Sequence, residues 1–211
     1  FHSTSGNVKD DERISQMHHD LDLLFEIGSL RYVPRGWLQH LATHCASDLE
    51  HSVRVVFLAL ILARRSGQKL DESKITLMAL LHDVAETRVS DLSYVQKVYV
   101  KADEPRALAD MFAGTVLTGF IDVVTAYERR DTQEAKIVKD ADNLDIDIEL
   151  KELEEQGHNL PKKLHNLRKM IRDKKLYTDE ARAMWDEIQT ADPSQWHISA
   201  NKYLTIPEAG R

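Results

Sequence analysis

Ile75-Thr-Leu-Met-Ala-Leu-Leu-His-Asp83 is an apolar run that ends abruptly in an imidazole and a carboxylate. The apolar run before it, Val53 to Ala63, is opened by a second histidine, His51. Gly67 lies between the two, 16 residues after His51 and 15 before His82. At about 1.5 Å rise per helical residue each arm spans roughly 22–24 Å. An antiparallel helical hairpin turning at Gly67 therefore sets His51 opposite His82 and Asp83. Neutral imidazoles and a carboxylate are ligands for divalent metals, so the register alone predicts a metal site. The rival reading is a hydrogen-bonded helix end that holds no ion.

Outward from this hairpin the periodicity stays helical, and no alternating strand pattern appears. Ile14, Met17, Leu21, Leu24 and Gly28 predict an amphipathic helix over 11–28. Asp48 is the expected N-cap of the helix that stops at Gly67, and Asp71 or Ser73 that of the next, ending near Glu86. Residues 87–103 read as irregular with a short helix around Tyr94. Pro105 suits the first turn of a helix running past Gly114 and Gly119 to about Arg129. Asp131 or Thr132 then caps a long helix to about Gln156, closed by Gly157, and two more follow near 161–173 and 178–190. The expected fold is an all-α bundle with the metal site at the ends of its central helices. Residues 1–10 are expected to be a disordered or non-native leader, 11–190 a single domain and 191–211 a C-terminal tail.

Composition narrows the function classes. Of 211 residues 30% are charged and 42% apolar, with a formal net charge of −7, and no basic stripe offsets it. This argues against a nucleic-acid polymer as partner. An acidic protein still binds a phosphorylated small molecule where a metal supplies positive charge. Cys45 is the single cysteine, which fits a reducing cytoplasm. Val55 to Ala63 is far too short to span a membrane, and Phe1-His-Ser-Thr-Ser-Gly6 carries no signal-peptide pattern.

The dipeptide His-Asp occurs twice, and His19-Asp20 is expected to be ordinary surface. Two histidines and one carboxylate leave an ion half exposed, so a further ligand is expected from another helix. Lys139-Asp-Ala-Asp-Asn-Leu-Asp-Ile-Asp147 offers four aspartates beside an apolar stripe of Ile137, Ala141, Leu144 and Ile148. Asp145 lies nearest the stripe, Asp142 flanks it, and Asp140 and Asp147 fall on the other side. Periodicity does not choose among them, and most are expected to be solvated.

Taken together, Glu50-His51-Ser, His82-Asp-Val-Ala-Glu86, Asp91-Leu92 and Lys136-Ile-Val-Lys-Asp-Ala-Asp142 resemble the HD-domain metal phosphohydrolases. The likeness covers roughly 21–155 and is closest to the branch of bacterial 5′-deoxynucleotidases and their archaeal and eukaryotic relatives. It implies His51, His82, Asp83 and Asp142 as metal ligands, with Glu86 and Asp91 handling protons and positioning water. It also implies Arg35 and Trp37 as substrate-binding residues. In the family the arginine directly precedes the tryptophan, whereas here Gly36 stands between them. Ser90 takes the place of a glycine often found before the aspartate. The implied reaction is removal of phosphate from (deoxy)nucleoside 5′-monophosphates, with manganese, cobalt, iron, nickel or zinc as cofactor. The likeness further implies a homodimer, to which the C-terminal helices carrying Trp185 and Trp196 are candidates to contribute, although both residues could equally pack within one chain. Two alternatives stand. One is hydrolysis of nucleoside triphosphates or signalling nucleotides. Against its signalling forms, Thr87 follows Glu86 where alarmone hydrolases have an acidic pair, and a Gly-Tyr-Pro signature is absent. The other is a non-catalytic helical interaction module with a structural metal.

Overall fold

The computed structural model describes residues 18–41 and 44–200. The expected leader, the start of the first helix and the end of the C-terminal tail lie outside the described residues. Helix α1 occupies residues 18–29, followed by a 3-10 turn at Leu30–Tyr32 and helices α2 (Leu38–Leu41), α3 (Asp48–Arg65) and α4 (Glu72–Leu81). Short α5 (Glu86–Val89) and α6 (Gln96–Tyr99) lead to α7 (Glu104–Phe112), α8 (Phe120–Arg129) and α9 (Gln133–Glu155). Helices α10 (Leu160–Lys174), α11 (Asp179–Thr190) and α12 (Gln195–Ser199) complete the described chain. Pairing of extended backbone among the described residues is limited to one isolated bridge, Pro34 to Ser47. The all-α expectation holds.

The hairpin forms as its register requires. Gly67 takes φ +65°, which reverses the chain after α3 where a Cβ would be strained. Helices α3 and α4 pack on each other, and α9 crosses both. Val55, Ala59, Leu62, Ile75, Met78, Ala141 and Leu144 interlock at this junction, all but excluded from water. At roughly 1.5–3 kcal/mol per large apolar side chain buried, this three-helix contact is the main anchor of the fold. A second cluster, around Leu81, Val84, Leu108, Met111 and Phe112, ties α7 and α8 to the end of α4.

The structure corrects three expectations and decides between two readings of Trp185. Ser47, not Asp48, caps α3: its Oγ accepts from the Glu50 N–H, while Glu50 Oε2 accepts from the Ser47 N–H at 2.7 Å. Asp48 is instead fully buried. Helix α4 ends at Leu81 rather than near Glu86, and His82 Nδ1 bonds the Ala79 carbonyl at 2.9 Å in the last turn. The helix expected from Pro105 to Arg129 is two, because Gly114 turns at φ +73° and the hydroxyls of Thr115 and Thr118 take the Phe112 carbonyl. Trp185 is buried within the chain and offers no surface to a partner, whereas Trp196 is exposed. The pair His19-Asp20 lies on α1, where Asp20 accepts from the Val116 N–H at 2.9 Å and takes no part in the hairpin site.

Candidate metal centre

The first turn of α3, the end of α4 and the middle of α9 meet at one point. There His51 Nε2 lies 3.3 Å from His82 Nε2, 3.5 Å from Asp83 Oδ2 and 3.3 Å from Asp142 Oδ1. His82 Nε2 is 3.1 Å from Asp83 Oδ2 and 3.9 Å from Asp142 Oδ1. Ligand atoms each about 2.1 Å from one ion are themselves separated by roughly 3.0–3.5 Å. Ligand atoms of His51, His82 and Asp83 thus lie close enough to share a cation, with Asp142 Oδ1 beside them at 3.3 Å from His51 Nε2 and 3.9 Å from His82 Nε2.

The tautomers support the same conclusion. Asp145 Oδ2 stands 2.6 Å from His51 Nδ1, and the Ala79 carbonyl 2.9 Å from His82 Nδ1. Both are acceptors for an Nδ1 hydrogen, which leaves each Nε2 aimed into the centre. Two ring nitrogens and two carboxylates converging at one point favour positive charge between them, whether a proton or a metal ion. Burial opposes a charge on His51, yet Asp142, Asp145 and Asp83 raise its proton affinity well above the ordinary value. Burial likewise pushes Asp83 and Asp142 up, but the imidazoles, with Lys139 at Asp142, hold both well below the usual carboxylate range. The donor set fits a divalent cation.

Beside this centre lies a second carboxylate group, Asp48, Glu86 and Asp91. Arg35 Nη1 sits among acids, 3.4 Å from Asp48, 3.5 Å from Asp83 and 3.3 Å from Asp91. Asp91 Oδ2 also accepts from the Gly36 N–H at 2.8 Å. Burial and the neighbouring Asp83, Asp91 and Asp48 push Glu86 up to about 11, and burial raises Asp48 to about 6. Glu86 Oε2 and Asp48 Oδ2 are both buried without a hydrogen-bond partner among the described residues. Glu86 and Asp91 are thus brought to the centre as expected, and Arg35 with them, its guanidinium engaged by carboxylates. Trp37 is half-buried, and its indole N–H has no partner among the described residues.

The two departures from the family pattern have physical readings. A Cβ at Gly36 would lie 2.7 Å from the Asp91 carbonyl oxygen and 2.8 Å from the Ser93 nitrogen, so the inserted glycine lets two backbone segments touch. Ser90 adopts φ +64° and ψ 155°, a region that glycine alone enters freely. The serine therefore keeps the glycine's backbone path at a cost in strain.

On α9 the expectation that most of the aspartates are solvated is overturned, for all four are buried. Asp142 faces the imidazoles, and Lys139 Nζ donates to its Oδ2 at 2.7 Å. Asp145 orients His51 and pairs with Arg54, which also bonds Glu152 at 2.9 and 3.1 Å. Asp140 accepts from the Tyr177 and Thr178 N–H groups and the Thr178 hydroxyl at 2.7–2.9 Å. Asp147 pairs with Arg168 through two bonds of 2.9 and 2.6 Å.

Comparison with known proteins agrees with this geometry. The profile of the HD domain family, HD_3, matches residues 27–187. The 5′-deoxynucleotidase HDDC2 of Danio rerio is 32% identical over 149 residues, covering 66% of this chain and 72% of the relative. Its namesake in Dictyostelium discoideum is 27% identical over 160 residues, 70% of this chain and 84% of the relative. Among solved structures, a conserved hypothetical protein from Pyrococcus furiosus superposes with a TM-score of 0.69 at 30% identity, covering 81% of this chain and 99% of that one. A protein from Magnetospirillum magnetotacticum, described as a predicted metal-dependent phosphohydrolase, shares the fold with a TM-score of 0.63 at 20% identity, over 83% and 91% of the two chains.

Proposed function

The chain belongs to the HD-domain family, and from that premise we propose that it is a metal-dependent phosphohydrolase that removes phosphate from (deoxy)nucleoside 5′-monophosphates. The observation that carries this reading is the convergence of His51 Nε2 and His82 Nε2, 3.3 Å apart, with Asp83 and Asp142 beside them. A divalent cation held by His51, His82, Asp83 and Asp142 would supply Lewis acidity toward a phosphate oxygen and toward water. Manganese, cobalt, iron, nickel and zinc all suit the donor set.

Around that ion the chain's own side chains divide the remaining work. Glu86, held protonated by burial and the neighbouring carboxylates, is the candidate to give a proton to the leaving nucleoside oxygen. Asp91 is tied to Arg35 and the Gly36 N–H and so positions the substrate-side segment Arg35-Gly-Trp37. The Trp37 indole N–H has a donor to offer the sugar or base.

Among the described residues no helix is long and apolar enough to cross a membrane. A cytoplasmic setting is supported by the single free thiol of Cys45. Homodimerisation is supported by Val53, Phe57 and Ile61, an exposed apolar row at four-residue spacing on α3.

Metal analysis coupled to a nucleotide hydrolysis screen tests the reading. Orthophosphate should be released from 5′-monophosphates, and release of pyrophosphate or triphosphate from longer substrates would replace it. His82→Ala should abolish turnover with the helical content intact, and full activity in that variant would sink the assignment.

A further inference from the structure

Arg130 carries a donor that the protein itself leaves unused. Its Nη1 is buried without an acceptor among the described residues, and its Nη2 has only the exposed Glu128 carboxylate at 3.4 Å. Buried guanidinium hydrogens are almost always paired, because leaving one bare costs most of its desolvation. The side chain is nevertheless held firmly. Arg130 caps α8 with φ +54°, and its guanidinium lies flat over the buried Tyr127 ring, 3.3 Å from the centroid. The Tyr127 ring in turn stands edge-on to His82 with the centroids 5.7 Å apart. One aromatic ring therefore separates the free donor from the candidate ligand His82.

Charge at the centre shows what such a donor could serve. Arg35 is engaged by Asp48, Asp83 and Asp91, and Lys139 by Asp142. Arg130, one ring away from His82, is the cation there that no buried carboxylate among the described residues engages.

Resting on the phosphohydrolase reading, we propose that Arg130 binds a phosphate oxygen of the substrate through Nη1 and is a specificity-determining residue of this site. Tyr127 is the platform that aims it. Because the guanidinium acts on the phosphate before and during the reaction alike, its loss weakens binding more than turnover.

The test uses the manganese-loaded full chain with Arg130→Ala, Arg130→Gln and Arg130→Lys. KM and kcat are measured on a deoxynucleoside 5′-monophosphate, and inorganic phosphate is titrated by calorimetry as a readout independent of turnover. Arg130→Ala should raise KM and weaken phosphate binding roughly 10- to 100-fold with kcat within about threefold, and Arg130→Lys should recover part of the loss. Wild-type KM and phosphate affinity in both Arg130→Ala and Arg130→Gln overturn the proposal, as does a fall in kcat alone. Should Arg130→Ala not fold, the Gln and Lys variants decide on the same criteria. If the wild type turns over nucleotides and these variants bind phosphate normally, the Arg130 assignment fails and the enzyme reading stands. If the wild type hydrolyses nothing yet binds phosphate through Arg130, the enzyme reading fails instead.

Discussion

Asp142 and Asp147 lie on the same helix, both buried, and their surroundings could hardly differ more. Asp147 is closed on itself: Arg168 grips both carboxylate oxygens and sends a further bond of 2.7 Å to the Asn143 carbonyl. Asp142 is shared: its Oδ2 accepts from Lys139 Nζ at 2.7 Å, while its Oδ1 faces the Nε2 atoms of His51 and His82. One carboxylate has both oxygens closed off by a guanidinium, and the other keeps one oxygen turned toward two imidazoles. Burial of a charge is therefore no marker of function, and the kind of group that meets each oxygen is.

The contrast is sharpest in substitution. Asp142→Asn should lower phosphohydrolase activity by on the order of a thousandfold or more while the circular dichroism spectrum stays native. A variant that kept wild-type turnover would erase the distinction between the two residues. Asp147→Ala should do the opposite. It strands the Arg168 guanidinium in the interior and should cost about 3–5 kcal/mol in urea unfolding, with activity per folded molecule unchanged.

Asp145 stands between these extremes, bonded to Arg54 on one side and to His51 on the other. Asp145→Asn should weaken metal binding roughly 10- to 100-fold in a chelator competition, with less effect on unfolding than Asp147→Ala. Equal metal affinity in variant and wild type would move Asp145 into the structural class with Asp147. The smallest effect is expected at Ser90. Ser90→Gly relieves a positive-φ strain and should stabilise the protein by about 1 kcal/mol in the same unfolding assay. No gain would mean the loop before Asp91 is relaxed as it stands.

These two kinds of carboxylate could not be told apart from the residues alone. The hairpin was legible because its register depends only on helical rise and one glycine, and so was the meeting of His51 with His82-Asp83. The aspartates of α9 were not, since periodicity reports which face a side chain occupies and never which partner meets it. Arg168 approaches Asp147 from α10, 21 residues downstream. Asp48 was misread for a different reason. Ser47-Asp-Leu-Glu50 fits the pattern of a reciprocal cap, which would have assigned the cap to Ser47 and left Asp48 free for the interior. The break after Phe112 depends on the Thr115 and Thr118 hydroxyls capturing a backbone carbonyl, a local competition that an apolar stripe does not register. Which aspartate serves as ligand came through family likeness rather than through spacing.

At Gly36 the peptide planes of two distant segments press together with no side chain as cushion. A nudge to Trp37 from an arriving nucleoside would thus be delivered to Asp91 undamped, as through a rigid lever. Alanine at that spot would pry the lever apart, so redesign of substrate preference here has to begin at its neighbours.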